Sequence, residues 1–360
     1  MKTGKILFIV PYPREGASNR LRVEQYLPFL EKEGFSYLVR PFVGRRFYRI
    51  LYAKGRHFTK AFYFLLAVIN RLFDIIRALR FDVIFIHREA LPIGTAFVEK
   101  AFSLLGKRIV FDFDDAIFLP NTSRTNNYIE CFKNPGKIAE IIALSGRVIA
   151  GNEYLREYAR KFSNNVIVIP TPIDTDRYTP SGRLPEPGGD ITIGWVGSFT
   201  TGAYLDSLRP VMERLKARYP GLKFKFVGNW SRPGTRQEGA EYKEWRLDDE
   251  PADIRSFDIG IMPMPDDMWT RGKCGFKIIL YMACGIPVVS SPVGVNRDII
   301  EDGVNGFLAD SSDEWFEKLS ILIADPDLRR RVGASGRQTV EKRYSVSRTA
   351  GGFIKALSPT

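Results

Sequence analysis

Lys273 and Lys277 stand four residues apart in RGKCGFKIILYMACGIPVVSSPVGVN, the stretch from Arg271 to Asn296. If Gly275 opens a helix, the two amines share one of its faces. Unpaired N–H groups and the positive end of the helix dipole add to their charge, and the sum suits an anion. Gly285 then stops the helix, Ile286 to Val289 forms a short strand, and Pro292-Val293-Gly294 turns the chain. A glycine turn at a strand's carboxyl end lies where open α/β sheets bind ligands, so the amides of Gly294, Val295 and Asn296 reach the same place. A diphosphate is the anion this spacing fits. An ordinary βα unit with surface lysines shares each feature singly; the two lysines, the bounded helix and the second glycine turn count together.

Other strand ends carry further candidates. Pro11 to Ser18 (PYPREGAS) is a loop in which Gly16 permits close backbone approach. Asn19, Arg20 and Arg22 open the next helix, where N–H groups and guanidiniums suit a phosphate or an acceptor anion; a capped helix with surface arginines reads the same way. Asp82 to His87 delivers His87-Arg88-Glu89, and Lys107 to Phe113 delivers Asp112, Asp114 and Asp115. Of the two histidines, His87 at a strand end is the better catalytic candidate than His57, with a structural hydrogen-bonding role as its alternative. The carboxylates suit an acceptor hydroxyl or a base, and Asp114 and Asp115 also suit helix capping. Asp112-Phe113-Asp114 spells a metal-binding Asp-x-Asp, yet three acids in four residues at a strand end cannot all point one way, and no metal is expected. Farther on, Ser198 follows the strand ITIGWVG, Trp245 and Arg246 offer a flat face with a cation to a nucleobase or to ordinary packing, and Asp266, Asp267 and Trp269 suit sugar hydroxyls.

Positioning these groups requires alternating strands and helices. The first half predicts strands at Lys5–Val10, Tyr37–Pro41, Asp82–His87, Lys107–Phe113, Arg147–Ala150 and Val166–Ile169. Helices fall near Asn19–Glu33, Thr59–Arg80, Ile93–Leu105, Ile138–Leu144 and Glu153–Lys161. This alternation predicts a parallel sheet covered on both faces. Pro170 to Asp190 holds five prolines and three glycines and marks the domain boundary. Strands then resume at Ile191–Gly197, Lys223–Val227, Ile259–Met262, Val288–Ser290 and Gly306–Ala309, with a helix near Tyr204–Arg218. The expected architecture is α/β: two doubly wound Rossmann-like domains, 1–180 and 181–345, facing across a cleft. A terminal helix, 346–360, returns to the first.

The 360 residues allow two domains of ordinary size, and 44% hydrophobic with 26% charged residues is a soluble globular composition. No apolar run reaches the roughly eighteen residues of a membrane span. The opening MKTGKILFIVPYP is too short in its apolar part for a signal peptide, and three scattered cysteines give no disulfide or metal framework, which fits a cytoplasmic protein. Net charge is +12, and residues 1–180 hold 28 basic against 17 acidic residues while 181–360 hold 25 against 24. Within the first half, Arg40 to Arg80 contains ten basic residues, one acid (Asp74) and interleaved aromatics. Three readings fit it: an anionic membrane surface, a core-packed helix with solvated arginines, and a nucleic-acid site. The last lacks any accompanying motif, so no nucleic-acid partner is expected.

Taken in order, these pieces resemble glycosyltransferase family 4. The carrying residues are PYPREGASNRLR, FDFDDAIF, IPTPIDTDRY, GWVGS, EDGVNGFLA and, most specifically, GKCGFKIILYMACGIPVVSSPVGVN. The resemblance spans essentially the whole chain. It implies the two-domain GT-B fold, a nucleotide-diphosphate sugar bound mainly by the C-terminal domain as co-substrate, retention of anomeric configuration, and no cofactor. The expected acceptor is a glycan or lipid-linked precursor in cell-surface polysaccharide synthesis, and the basic aromatic segment adds the expectation of an enzyme peripheral on the inner face of the membrane. Donor contacts would come from Gly16, Arg20, Ser198, Trp245, Arg246, Asp267, Lys273, Lys277, Gly294, Val295 and Asn296, and acceptor chemistry from His87, Asp114 and Asp115. The family's usual two glutamates would fall at Gly272 and Leu280, and its Arg and Lys after the first C-terminal strand are missing from GSFTTGAY. This fits a subgroup in which KCGFK neutralises the diphosphate. A sugar-nucleotide epimerase of the same fold, a catalytically silent partner subunit and a metal-dependent transferase using Asp112 and Asp114 are the rival functions.

Overall fold

A computed structural model describes residues 4–51, 53, 55–120, 134–181, 190–228 and 239–358. The chain divides into two compact units, Met1–Thr171 with Thr349–Thr360, and Pro172–Arg348. The first is built on six parallel strands: β1 (Lys5–Val10), β2 (Ser36–Pro41), β3 (Val83–His87), β4 (Arg108–Phe113), β5 (Arg147–Ala150) and β6 (Val166–Val168). Around them run α1 (Ala17–Arg22), α2 (Leu27–Lys32), α3 (Arg45–Leu51), α4 (His57–Arg77), α5 (Phe97–Leu104), α6 (Lys137–Leu144) and α7 (Glu153–Ala159). Uninterrupted apolar runs such as VIFIH are buried along their whole length, because helices cover both faces of a parallel sheet.

The second unit repeats the plan with β7 (Thr192–Gly197), β8 (Lys223–Gly228), β9 (Glu241–Glu244), β10 (Ile259–Met262), β11 (Val288–Ser290) and β12 (Phe307–Leu308), again all parallel. Its helices are α8 (Phe199–Gly202), α9 (Arg209–Arg218), α10 (Glu250–Arg255), α11 (Met268–Arg271), α12 (Phe276–Ala283), α13 (Asn296–Ile299), α14 (Ser312–Ala324), α15 (Pro326–Arg343) and the start of α16 (Val346–Leu357). The strand orders are β2-β1-β3-β4-β5-β6 and β12-β11-β10-β7-β8-β9. Each sheet therefore reverses its winding beside its first strand, between β1 and β3 and between β7 and β10. These are the places where carboxyl-end loops part and leave room for a ligand.

Four expectations need correction. The boundary at residue 180 falls too late: Ile173 bridges to Ser345, and the Tyr178 hydroxyl bonds to Glu250 within the second unit's core. The predicted helix Asn19–Glu33 is broken at Val23, whose φ and ψ of −130° and −61° leave the helical region. Strand β9, absent from the predicted strands, pairs with β8 despite its charged sequence EYKE because it forms the sheet edge. Finally, α4 is not a core-packed helix with its apolar side inward. It buries Ala67, Arg71 and Asp74, while Phe58, Phe62, Leu65, Ile69, Leu72, Phe73 and Ile76 face outward. No described helix is long and apolar enough to cross a membrane.

Candidate functional site

At the second sheet's switch point the decisive residue is Lys277. Gly275, at φ 63°, caps α12, so the helix starts at Phe276 and Lys277 occupies its first turn. Lys273 lies before the helix, in the loop after α11, and the two lysines do not share a helical face as expected. The left-handed turn at Gly275 separates them. They remain electrostatic neighbours: burial first, and the Lys273 charge second, push the Lys277 amine down to about 7 from its ordinary 10.5. Its Nζ sits 4.4 Å from the centre of the buried Trp195 ring and donates to Thr201 Oγ1 at 3.2 Å. A methyl added at Gly197, the last residue of β7, would lie 2.8 Å from that Nζ and 2.5 Å from the Trp195 ring. Glycine is required there by space alone. Lys277 has no carboxylate partner among the described residues.

Tyr281, one turn further along α12, holds the strands apart at this point. Its hydroxyl accepts from Val196 N–H at 2.9 Å, and its ring occupies the space a side chain at Gly260 would need. Pairing between β7 and β10 consequently covers only Ile259 with Ile193 and Gly260 with Gly194. Gly294, at φ 52°, brings the turn after β11 against the backbone of Arg271, where a methyl would lie 2.8 Å from the Arg271 carbonyl. The N–H groups of Gly294 and Val295 donate to nothing among the described residues, as do those of Phe276 and Lys277. Asn296 is different: its N–H donates to Val293 O, and its side chain pins Ser290 Oγ and Ser291 O at 3.0 Å each, fully buried. It shapes the turn and offers no free amide, against expectation.

The remaining donor-side candidates of the second unit share this carboxyl edge, and several are already engaged. Ser198 caps α8, with its hydroxyl 3.4 Å from that of Thr201. Trp245 follows β9 and donates its indole N–H to Glu250 at 2.7 Å, while Arg246 beside it is exposed. Asp267 caps α11 by accepting from Thr270 N–H, and Asp266 binds Arg271. Leu280 is buried in the core, so the position is closed to a ligand hydroxyl.

The first sheet's switch point carries a chain of alternating charges. Buried Arg22 donates to both oxygens of Asp112 and, through Nη1, to Ile169 O at 2.8 Å. Asp112 in turn faces His87 Nδ1 at 2.7 Å. Burial would raise the Asp112 carboxyl, but Arg22 and His87 outweigh it and hold the group below the ordinary range. Asp112 is therefore ionised and accepts from His87 Nδ1–H, which turns Nε2 towards Asp114. That nitrogen lies 3.8 Å from Asp114 Oδ1 and has no hydrogen-bond partner among the described residues. Arg88, a non-glycine residue at φ 66°, closes the chain by binding Asp114 and Asp115 at 2.8 and 2.6 Å. Burial raises Asp114 too, yet Arg88, His87 and Arg22 together drive it far below the carboxylate range.

Three expectations change here. Arg22 is a buried structural cation and not an anion ligand. His87 is fully buried, so it stands behind Asp114 instead of reaching a substrate itself. Asp114 and Asp115 begin no described helix and bind Arg88 where caps were an alternative. Gly16 caps α1, and Arg20 is buried within it. Among the described residues, no cluster of three His, Cys, Asp or Glu side chains could hold a metal. Sequence reasoning missed Trp195 and Tyr281 as parts of these sites, because each stands inside an apolar run that reads as core.

Two family models match the chain: "Glycosyltransferase Family 4" over residues 27–177 and "Glycosyl transferases group 1" over residues 190–325. A D-inositol 3-phosphate glycosyltransferase of Thermobifida fusca is 26% identical over 234 residues, 54% of this chain and 51% of that protein. One from Xylanimonas cellulosilytica is 36% identical over 74 residues, 20% of this chain and 18% of its own length. The chain thus spans half or less of the curated relatives it matches. The structure of Anabaena HepE in complex with UDP and glucose superposes with a TM-score of 0.68 at 15% identity, covering 99% of this chain and all of that one. At that identity the likeness is one of fold.

Proposed function

Because the chain belongs to glycosyltransferase family 4 and has its GT-B fold, we propose that it transfers a sugar from a nucleotide-diphosphate sugar to a hydroxyl acceptor with retention of configuration. The observation that carries this reading is Lys277, a desolvated amine at a sheet switch point, beside Lys273, with no acid of its own among the described residues. A partly buried cation without a counter-charge is costly, and a bound diphosphate supplies the missing one. The N–H groups of Phe276, Lys277, Gly294 and Val295 would add donors to the same phosphates. As the glycosidic C–O bond breaks, charge grows on the departing diphosphate, and these preorganised positive groups stabilise it. No resident metal enters this proposal.

On the acceptor side, Asp114 is the substrate-facing carboxylate, with His87, Arg88 and Asp112 fixing its place. A carboxylate held so far below its ordinary range is a poor base, so Asp114 orients the acceptor hydroxyl. The new bond forms between that oxygen and the anomeric carbon, and the hydroxyl proton passes to the leaving phosphate. The acceptor we propose is a glycan or lipid-linked precursor of a cell-surface polysaccharide, met at the inner face of the membrane.

The test is calorimetric titration of uridine and guanosine diphosphates into wild type and Lys277→Ala. Micromolar binding by the wild type, lost in the variant, is expected. Equal binding by both proteins would remove Lys277 from the site, and no binding by either, extended to the remaining bases, would leave the chain without a donor.

A further inference from the structure

Helix α4 is inside out for a soluble protein. Phe58, Phe62, Leu65, Ile69, Leu72 and Ile76 recur at alternating steps of four and three, which places them on one face of a 21-residue helix about 30 Å long. That face is outward: Phe58 is 94% exposed, Phe62 and Leu65 58%, and Ile76 63%. Leu66 and Phe73 widen it, Leu79 prolongs it, and Phe97 and Leu104 of the adjacent α5 are exposed too, Leu104 to 88%. Two charged residues of the helix lie underneath instead. Arg71 is buried and donates to Val10 O, Arg40 O and Ala90 O, and buried Asp74 binds Arg40, Arg71 and Arg77. One face of the helix is held by these charges and by Tyr63, Phe64, Ala67 and Val68 packed against Phe42, Val43 and Phe47, while the opposite face offers its hydrocarbon to the surroundings.

We propose that α4 lies in the plane of an anionic lipid bilayer with this apolar face seated at the level of the acyl chains. The inference rests on the membrane-surface reading above and gives it a docking element. Charge decides the occupant. Asp74 is the only acid between Arg40 and Arg80, and it is enclosed by three arginines, whereas Arg45, Arg46, Arg49, Arg56 and Arg80 are exposed. Flanks of one sign suit anionic headgroups. A helical partner would call for acids interspersed with the bases, and a second copy of this chain would set like charges against each other. Arg71 also ties the face to the candidate site: Val10 ends β1, and Ala90 lies two residues after Arg88, which holds Asp114. A bilayer under α4 therefore adjoins the sheet edge that carries the acceptor-orienting carboxylate.

Flotation of the full chain tests this, using vesicles of phosphatidylcholine alone and of phosphatidylcholine with phosphatidylglycerol. The wild type is expected to float with the anionic vesicles and not with the neutral ones. The double substitution Leu65→Glu, Ile69→Glu should lower the bound fraction by about tenfold or more. Both positions are exposed, so the melting temperature and the affinity for uridine diphosphate should stay at wild-type values. A wild type that never floats overturns this inference and the membrane reading together. A variant that floats like the wild type removes α4 and leaves the membrane reading in place. A wild-type dimer that the substitution converts to monomer, seen by light scattering, assigns the face to a second copy and overturns the proposal. The uridine diphosphate titration registers any failure of the transferase reading separately.

Discussion

The two switch points solve opposite electrostatic problems with the same topology. In the first unit, Arg22 pairs with Asp112, Arg88 pairs with Asp114 and Asp115, His87 lies between Asp112 and Asp114, and each carboxylate is answered from within the protein. In the second, Lys277 is desolvated beside another lysine, and no carboxylate answers it among the described residues. A closed network fixes the position of a reacting group. An open one stores an unmet demand for negative charge, which a ligand then satisfies. The fold supplies a crevice in either case; the residues at the strand ends decide whether it orients or binds.

Substitutions should therefore act in opposite directions at the two edges. Asp112→Asn leaves Arg22 buried without its ion pair and should cost about 3–5 kcal/mol of stability, read from chemical unfolding. A cost near zero would mean that the network is not closed as described. Lys277→Met should lower kcat/KM or diphosphate affinity by about 100- to 1000-fold. It should nevertheless raise the melting temperature at pH 6 by about 2–4 °C, because a partly buried, uncompensated charge is removed. A lower melting temperature would show that the lysine is structurally answered.

The pH dependence sharpens the contrast. Unfolded, this lysine keeps its proton to about 10.5, whereas the folded, ligand-free protein gives it up near 7. Its cost to stability is accordingly full below pH 7 and fades as pH rises from 7 towards 10. Diphosphate binding needs the ammonium, so affinity should fall by up to about tenfold per pH unit above 7, with one proton taken up per ligand. Calorimetry at pH 8 in buffers of differing ionisation enthalpy measures that proton; none taken up would contradict the depressed amine. The smallest effect belongs to Gly294→Ala. A left-handed φ and a 2.8 Å approach to the Arg271 carbonyl should cost about 1–2 kcal/mol and weaken diphosphate binding only modestly.

Much of the scaffold was legible because it depends on local pattern. Uninterrupted apolar runs such as KILFIV and VIFIH specify buried parallel strands, and β1, β3, β4 and β7 lie within a residue or so of their predicted bounds. Edge strand β9 was not legible, since an edge tolerates the charges of EYKE. Gly275, Gly285 and Gly294 were readable as turns because glycine announces a positive φ. What Lys273 and Lys277 would do relative to one another was not, because the cap conformation at Gly275 set it.

The order of residues alone determined the alternation of elements, two doubly wound layers and the strand ends where chemistry must gather, for those follow from periodicity and chain sterics. Tertiary structure decided which charges are answered. Arg22 meets Asp112 across 90 positions of sequence, Lys277 meets Trp195 and Thr201 but no acid among the described residues, and α4 turns one apolar face outward over a buried Arg71. Such outcomes depend on desolvation and on partners brought together only by packing, and neither quantity is written along the chain.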